Sequence, residues 1–137
     1  DAPYRAKASR RDAGAKAARA PSVTDAMISA PVTLGARAAL APASRRLALA
    51  RYGASIGLAF QIADDVLDIT ATTDQLGKTA ARDLDLHKST YPALLGVEGA
   101  IGRAVALVED GCAALHGEGL LTPALEQLAR YIVERRS

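Results

Sequence analysis

Three aspartates, Asp64, Asp65 and Asp68, follow the apolar residues 57–63 within what reads as a single helix. Residues four apart lie on one face of a helix, so Asp64 and Asp68 point the same way, one turn apart. Asp65 is displaced by about 100° around the axis. Like charges at this spacing repel, and negative charge opposes the helix dipole near a C-terminal end. Such a conflict between local rules is typical of a functional site.

A divalent cation would resolve this conflict, because carboxylate oxygens suit Mg²⁺, which binds one or two carboxylates together with substrate phosphates. Positive charge follows on the predicted loop, at Lys78, Arg82 and Lys88, so the pattern favours a site for a diphosphate. The alternative is a solvated acidic surface. Against it, residues 57–63 are apolar all round the helix and carry Gln61 within them, which predicts that the aspartates begin inside a buried stretch.

Other metal and nucleotide sites lack the residues they need. No Asp-x-Asp-x-Asp-Gly loop begins at Asp64 or Asp65, which excludes an EF-hand. No Cys and His set for zinc is present, and His87 and His116 are isolated. No glycine-rich phosphate loop of the Walker type occurs.

The aspartates must be positioned by a long helix, which the apolar spacing predicts over residues 44–69 with Ser44 as its N-cap. An earlier helix begins near Thr24, and Pro31 is expected to kink or restart it. Residues 70–90 read as a loop with at most a short helical turn. Two helical segments are predicted within residues 91–119, and Thr122 with the following proline opens a last helix to about residue 135. The fold class is all-α, a helix bundle.

The composition bounds the class of protein. The chain has 137 residues, half of them hydrophobic, which suffices for one domain with a real core. A net charge of +2 is too small to indicate a nucleic-acid partner, and no apolar run approaches the roughly 18 residues of a membrane span. The single cysteine, Cys112, excludes an internal disulfide and fits a reducing compartment, so a cytoplasmic location is expected.

Residues 1–22 differ from the rest and are predicted to be a basic, disordered leader. Residues 1–20 carry six basic and two acidic residues, a net charge of +4, and almost no large apolar residue. A basic arm or an organelle-targeting remnant is the functional alternative. Asp1 rather than methionine stands first, which is typical of a chain that lacks its translated start.

The runs "GLAFQIADDVLD" and "LGKTAARDLDLHKSTYPALLG" resemble the C-terminal half of a trans-isoprenyl diphosphate synthase, most closely the bacterial farnesyl diphosphate synthase type. "LGARAAL", "YGASIGLAF" and "LEQLARYIVERRS" extend the resemblance over residues 23–137. It implies part of the all-α isoprenoid synthase fold, a homodimer, and Mg²⁺-dependent condensation of an allylic diphosphate with isopentenyl diphosphate. Two aspartate-rich motifs that face each other hold the metal in this family.

The resemblance assigns roles to individual residues. Asp64, Asp65 and Asp68 occupy the second aspartate motif and are implied to be metal ligands, Asp64 foremost. Phe60 and Gln61 match the residues just before it, which puts Gln61 near the carbocation or the isopentenyl group.

Three further positions match residues of the family that bind or stabilise the substrate. Lys78 matches a lysine that contacts the allylic diphosphate. Lys88 matches the lysine of the K-x-TYP segment. Thr24 matches a threonine that helps to stabilise the carbocation.

The sequence also departs from the family pattern. Val23 stands where the family has a further diphosphate-binding lysine, and the N-terminal half with the first aspartate motif is absent from this chain. Three hypotheses follow. The chain is an incomplete synthase, weak or inactive alone; or it is a non-catalytic helical module that docks on a full-length synthase, a complementary half or its own copy; or it is the product of a decayed gene.

Overall fold

The computed structural model describes residues 23–76 and 90–135. These two segments contain no strand and form the helices α1 (Val23–Ala38), α2 (Ala43–Leu76), α3 (Tyr91–Gly117) and α4 (Pro123–Glu134). The prediction of an all-α helix bundle is confirmed. The predicted leader 1–22 and residues 77–89 of the predicted loop lie outside the described residues, as do the side chains of residue 25 and residues 72–76.

Helix α1 runs through Pro31 as one helix of 16 residues, so the expected restart at this proline is wrong. Proline removes one backbone donor, and the helix continues because its remaining bonds and its packing on α2 hold the chain. Leu40 ends this segment with a positive φ of 52°. There the backbone N–H of Ala41 donates to the carbonyl of Ala36 (3.0 Å), which is the 6→1 hydrogen bond of a Schellman motif at a helix C-terminus.

Helix α2 has 34 residues and is longer than predicted at both ends. Its first turn already includes Ser44, because the N–H of Arg46 donates to the carbonyl of Pro42 (3.0 Å). Ser44 is therefore not the N-cap, and its hydroxyl donates instead to Glu118 (3.0 Å), beyond the end of α3. At the other end the helix reaches Leu76, which corrects the prediction of a loop from residue 70.

Helix α3 is two helical segments joined at a kink, as predicted. Gly96 has φ 75° and ψ 167°, values outside the helical region that glycine adopts at little cost. Thr90 caps the helix by accepting a hydrogen bond from the N–H of Ala93 (3.4 Å), with Pro92 in the first turn. Thr122 caps α4 in the same way through Leu125 (3.3 Å), which confirms the predicted start of the last helix.

Helix α3 is also long and apolar enough to cross a membrane by length and composition alone. The helix is not an unbroken apolar run of the kind that the sequence analysis excluded, because Glu98, Arg103 and Glu109 interrupt it. Nine of its residues are buried within the bundle, and the core helix of a soluble protein meets the same test. The finding is weak evidence for a membrane.

Helices α2 and α3 form the centre of the core and approach closely at Gly111. A Cβ on Gly111 would lie 3.3 Å from the Cβ of Ser55, so only glycine fits there without displacement. Beside it, the Arg51 Nε donates to Asp110 (3.0 Å) and the hydroxyl of Ser55 donates to the same carboxylate (3.5 Å). The hydrogen bond from Arg51 lowers the pKa of the Asp110 carboxyl below its usual range. Among the described residues, the largest side chains that are fully buried lie on these two helices: Ile62, Val108 and Leu115.

Candidate functional site

The three aspartates lie in the interior of α2, and the helix continues to Leu76 beyond them. Asp64 and Asp68 are one turn apart on one face, as their spacing predicts. The prediction that they stand at a C-terminal end is wrong, so the opposing helix dipole does not act on them. The side chain of Asp64 is 37% exposed and Asp68 is more exposed still. Residues 57–63 are all buried or partly buried, so the aspartates begin inside a shielded stretch as expected, and exposure starts at Asp68.

Asp64 forms an ion pair with Arg135, the C-cap residue of α4. The guanidinium carbon of Arg135 lies 4.3 Å from the centroid of the Phe60 ring, which is cation–π distance. The Nε of Arg135 donates to the carbonyl of Ile132 (3.3 Å). One cation therefore contacts the first aspartate of the motif and the aromatic ring one turn before it.

Gln61 lies on the adjacent part of the helix surface and is partly buried. Its Nε2 donates to Oδ1 of Asp65 (3.0 Å) across one turn. This contact uses one oxygen of Asp65 and orients the amide along the helix axis, so Gln61 and Asp65 act as a pair distinct from Asp64 and Arg135.

A cleft of about 530 Å³ opens beside these residues, between α2, α3 and the end of α4. Ile62, Val66 and Ile101 contribute apolar surface, and Arg135 stands on its wall. The Arg135 side chain is 23% exposed, so its guanidinium is partly shielded between the cleft and Phe60. None of the three aspartates lines this cleft, and Arg135 is the residue that both lines it and pairs with Asp64.

Comparison of the sequence with known proteins identifies the family to which the chain belongs. The polyprenyl synthetase family profile matches residues 22–109, more than half of the chain and the whole of α1 and α2 with their aspartates. The chain belongs to the polyprenyl synthetase family.

Two relatives of this polyprenyl synthetase chain match four fifths of it. The farnesyl diphosphate synthase of Escherichia coli strain K12 is 47% identical over 116 residues, which are 82% of this chain and 39% of the relative. A dimethylallyltranstransferase of Fischerella ambigua is 41% identical over 82% of this chain and 32% of its own length.

A geranylgeranyl diphosphate synthase of Cyanophora paradoxa is 47% identical over 64% of the chain and 29% of its own length. The chain thus spans about a third of the length of the relatives it matches.

The remaining residues of the predicted site fall in different parts of this polyprenyl synthetase chain. Thr24 is partly buried in the first turn of α1, on a different helix from Asp64 and Gln61, which lie on α2. Lys78 and Lys88 lie outside the described residues. The structure thus brings together Phe60, Asp64 and a residue that the prediction did not include.

That residue is Arg135. The basic end of the last helix is visible in the sequence as the run "YIVERRS". Its partner is not visible, because Asp64 lies 71 positions earlier and only the packing of α4 against α2 brings the two together.

The donor chemistry of the aspartates fits part of a magnesium site. In the part of the chain that the structure describes, no three His, Cys, Asp or Glu side chains are grouped to hold one ion. Asp64 and Asp68 still offer hard oxygen ligands on one face, and the guanidinium on Asp64 shows that this carboxylate attracts a cation. Two carboxylates are what Mg²⁺ takes from a protein when substrate phosphates and water supply its other ligands.

Proposed function

We propose that this chain is the C-terminal part of a prenyltransferase of isoprenoid biosynthesis, of the farnesyl diphosphate synthase type. The reaction would condense an allylic diphosphate with isopentenyl diphosphate. The observation that carries the proposal is the pair Asp64 and Asp68, one turn apart on a partly exposed face of α2 and inside the region that matches the family. The names of the relatives agree with this reaction class.

Each residue has a part in this proposal. Asp64 and Asp68, with Asp65 beside them, would hold Mg²⁺, which supplies positive charge for the departing diphosphate. Lys78 and Lys88 would add further charge to the diphosphate oxygens.

The uncharged residues would act on the reacting carbons. Gln61 and Thr24 would place oxygen dipoles near the carbon that becomes positive. Phe60 would line the site and exclude water from the reacting carbons.

Because the chain spans about a third of its relatives, we expect the full chain alone to give little or no turnover. The test joins residues 23–137 to the part of the Escherichia coli farnesyl diphosphate synthase that the chain does not match. We expect this chimera to form a prenyl diphosphate from dimethylallyl and isopentenyl diphosphates with Mg²⁺. Replacing Asp64→Asn in the chimera should lower kcat by about 100-fold or more, because charge on the leaving group is no longer neutralised.

Glu109→Gln is the matched control, since Glu109 is an exposed carboxylate on α3 and lies away from the aspartates of α2. A chimera that folds but forms no product, or one whose product formation survives Asp64→Asn, contradicts the proposed reaction.

A second candidate is a non-catalytic module that docks on a complementary synthase half or forms a homodimer. The observation that favours it is a set of large apolar side chains exposed on α1 and α4, among them Met27, Leu34, Leu128 and Tyr131. Size-exclusion chromatography with light scattering tests it. A clean monomer that binds neither itself nor the N-terminal part of a synthase would exclude this candidate.

The proposed compartment is the cytoplasm. The one cysteine, Cys112, is buried and free, which suits a reducing environment. Some plant relatives carry the words chloroplastic or mitochondrial in their names, so localisation of a fluorescent fusion decides between cytoplasm and organelle.

A further inference from the structure

Arg135 is held at three points although it is the last described residue of the chain. Its guanidinium pairs with Asp64 and stacks on Phe60 at 4.3 Å, and its Nε donates to the carbonyl of Ile132. The side chain is 23% exposed, so water screens this pair less than it screens a surface ion pair. A cation held in this way has a defined position on the first aspartate of the motif.

We propose that Arg135 is a built-in counter-cation, which occupies Asp64 until a divalent metal ion displaces it. This inference rests on the proposed function, in which Asp64 is a metal ligand. A guanidinium and Mg²⁺ attract the same carboxylate, and two cations at contact distance from one carboxylate repel each other. Metal binding therefore expels the guanidinium from Asp64.

Displacement from Asp64 also changes the surroundings of Phe60 and the cleft. The guanidinium contacts Phe60 and Asp64 at the same time, because these two residues are one turn apart on α2. Arg135 also lines the cleft between α2, α3 and α4. When the guanidinium leaves, the Phe60 ring loses its cation and the wall of the cleft changes shape. The ring thus reports which cation holds Asp64.

The chain contains a single phenylalanine, so incorporation of 4-fluorophenylalanine gives one ¹⁹F NMR signal at Phe60. We titrate the full chain with MgCl₂ at constant ionic strength. The signal should move saturably toward the position that it has in metal-free Arg135→Gln. Calorimetry should show that Arg135→Gln binds Mg²⁺ about threefold or more tightly than the wild type, because no cation has to be expelled.

Arg130→Gln is the matched control. Arg130 also lies on α4 and carries the same charge, but it pairs with Glu126 four residues earlier (2.8 Å). Its removal should leave the Mg²⁺ affinity within about twofold of the wild type, because exposed charges at a distance are screened. Arg135→Lys keeps the charge without the planar stack and should give an intermediate affinity, which provides a second variant if Arg135→Gln does not fold.

Two outcomes overturn the inference alone. In one, Mg²⁺ binds and Asp64→Asn abolishes the binding, but the ¹⁹F signal stays in place, so the carboxylate holds both cations together. In the other, Arg135→Gln binds Mg²⁺ no more tightly than Arg130→Gln. If wild type and Asp64→Asn bind Mg²⁺ equally, Asp64 is not a metal ligand. That result overturns the metal site of the proposed function, and this inference with it.

Discussion

Gln61 donates a hydrogen bond of 3.0 Å to Asp65 across one turn of α2, while Asp64 next to it faces the guanidinium of Arg135. Two adjacent carboxylates of one motif therefore have different partners. One oxygen of Asp65 accepts a hydrogen bond from the Gln61 amide on the same helix. Asp64 lies on the helix face that it shares with Asp68. We therefore expect substitutions of Asp64 and Asp65 to change the Mg²⁺ affinity by different amounts.

Asp64→Asn should reduce the Mg²⁺ affinity of the chain by about tenfold or more, whereas Asp65→Asn should change it by less than about threefold. The reason is that the amide of Gln61 already engages Asp65. Isothermal titration with MgCl₂ measures both. Equal losses in the two variants would show that the ion lies between the two side chains and not on the face of Asp64.

The close packing of α2 against α3 predicts that two glycine-to-alanine substitutions on α3 change the free energy of unfolding in opposite directions. Gly111→Ala should lower the free energy of unfolding by about 1–3 kcal/mol, because its Cβ would lie 3.3 Å from that of Ser55. Gly102→Ala should raise it by about 0.5–1 kcal/mol, since nothing lies within 4 Å and alanine is the better helix former.

Urea denaturation of both glycine variants measures the difference. A stabilising Gly111→Ala would mean that the two helices separate at little cost.

Leu40 has a φ of 52°, a left-handed conformation that disfavours residues with a Cβ, and the residue is 88% exposed. Leu40→Gly should therefore raise the free energy of unfolding by about 0.5–1 kcal/mol, the relief of strain exceeding the entropy that glycine adds to the unfolded chain. Leu40→Ala is the control, because it removes the exposed side chain and keeps the Cβ. Thermal melts of the two variants should differ; equal melts would show that the strain is negligible.

The stability of the chain should fall in alkali. Burial raises the pKa of the Cys112 thiol above its ordinary 9.0 and that of the Tyr52 phenol above its ordinary 10.0. The folded state thus keeps protons that the unfolded chain releases, so the contribution is complete below these ordinary values and is lost as pH rises past them. The slope is at most about 1.4 kcal/mol per pH unit for each group.

Urea denaturation between pH 7 and pH 11 follows this loss. Cys112→Ala should reduce the fall in the free energy of unfolding near pH 9. Tyr131→Phe, which removes an exposed phenol, should leave the pH dependence of that free energy unchanged. A wild-type curve that stays level to pH 11 contradicts the role of the buried groups.

Local patterns predicted the elements well where the signal lies within one turn. Thr122, followed by Pro123, caps α4 as the sequence predicts, and Thr90 caps α3 in the same way two residues before Pro92. Two helical segments were predicted in α3, and Gly96 separates them because glycine adopts a positive φ at little cost. Ser44 shows the limit of such reasoning. A serine at a plausible start is not the cap, because the helix begins at Ala43 and the Ser44 hydroxyl finds Glu118.

By itself, the sequence determined that the chain is all-α and that Asp64 and Asp68 share one helix face, because helical periodicity acts over three or four residues. Only the tertiary structure decided which face of α2 is covered and which cation meets Asp64. That cation belongs to Arg135, 71 positions away. A contact over such a distance depends on how α4 packs against α2, and no spacing within either helix encodes it.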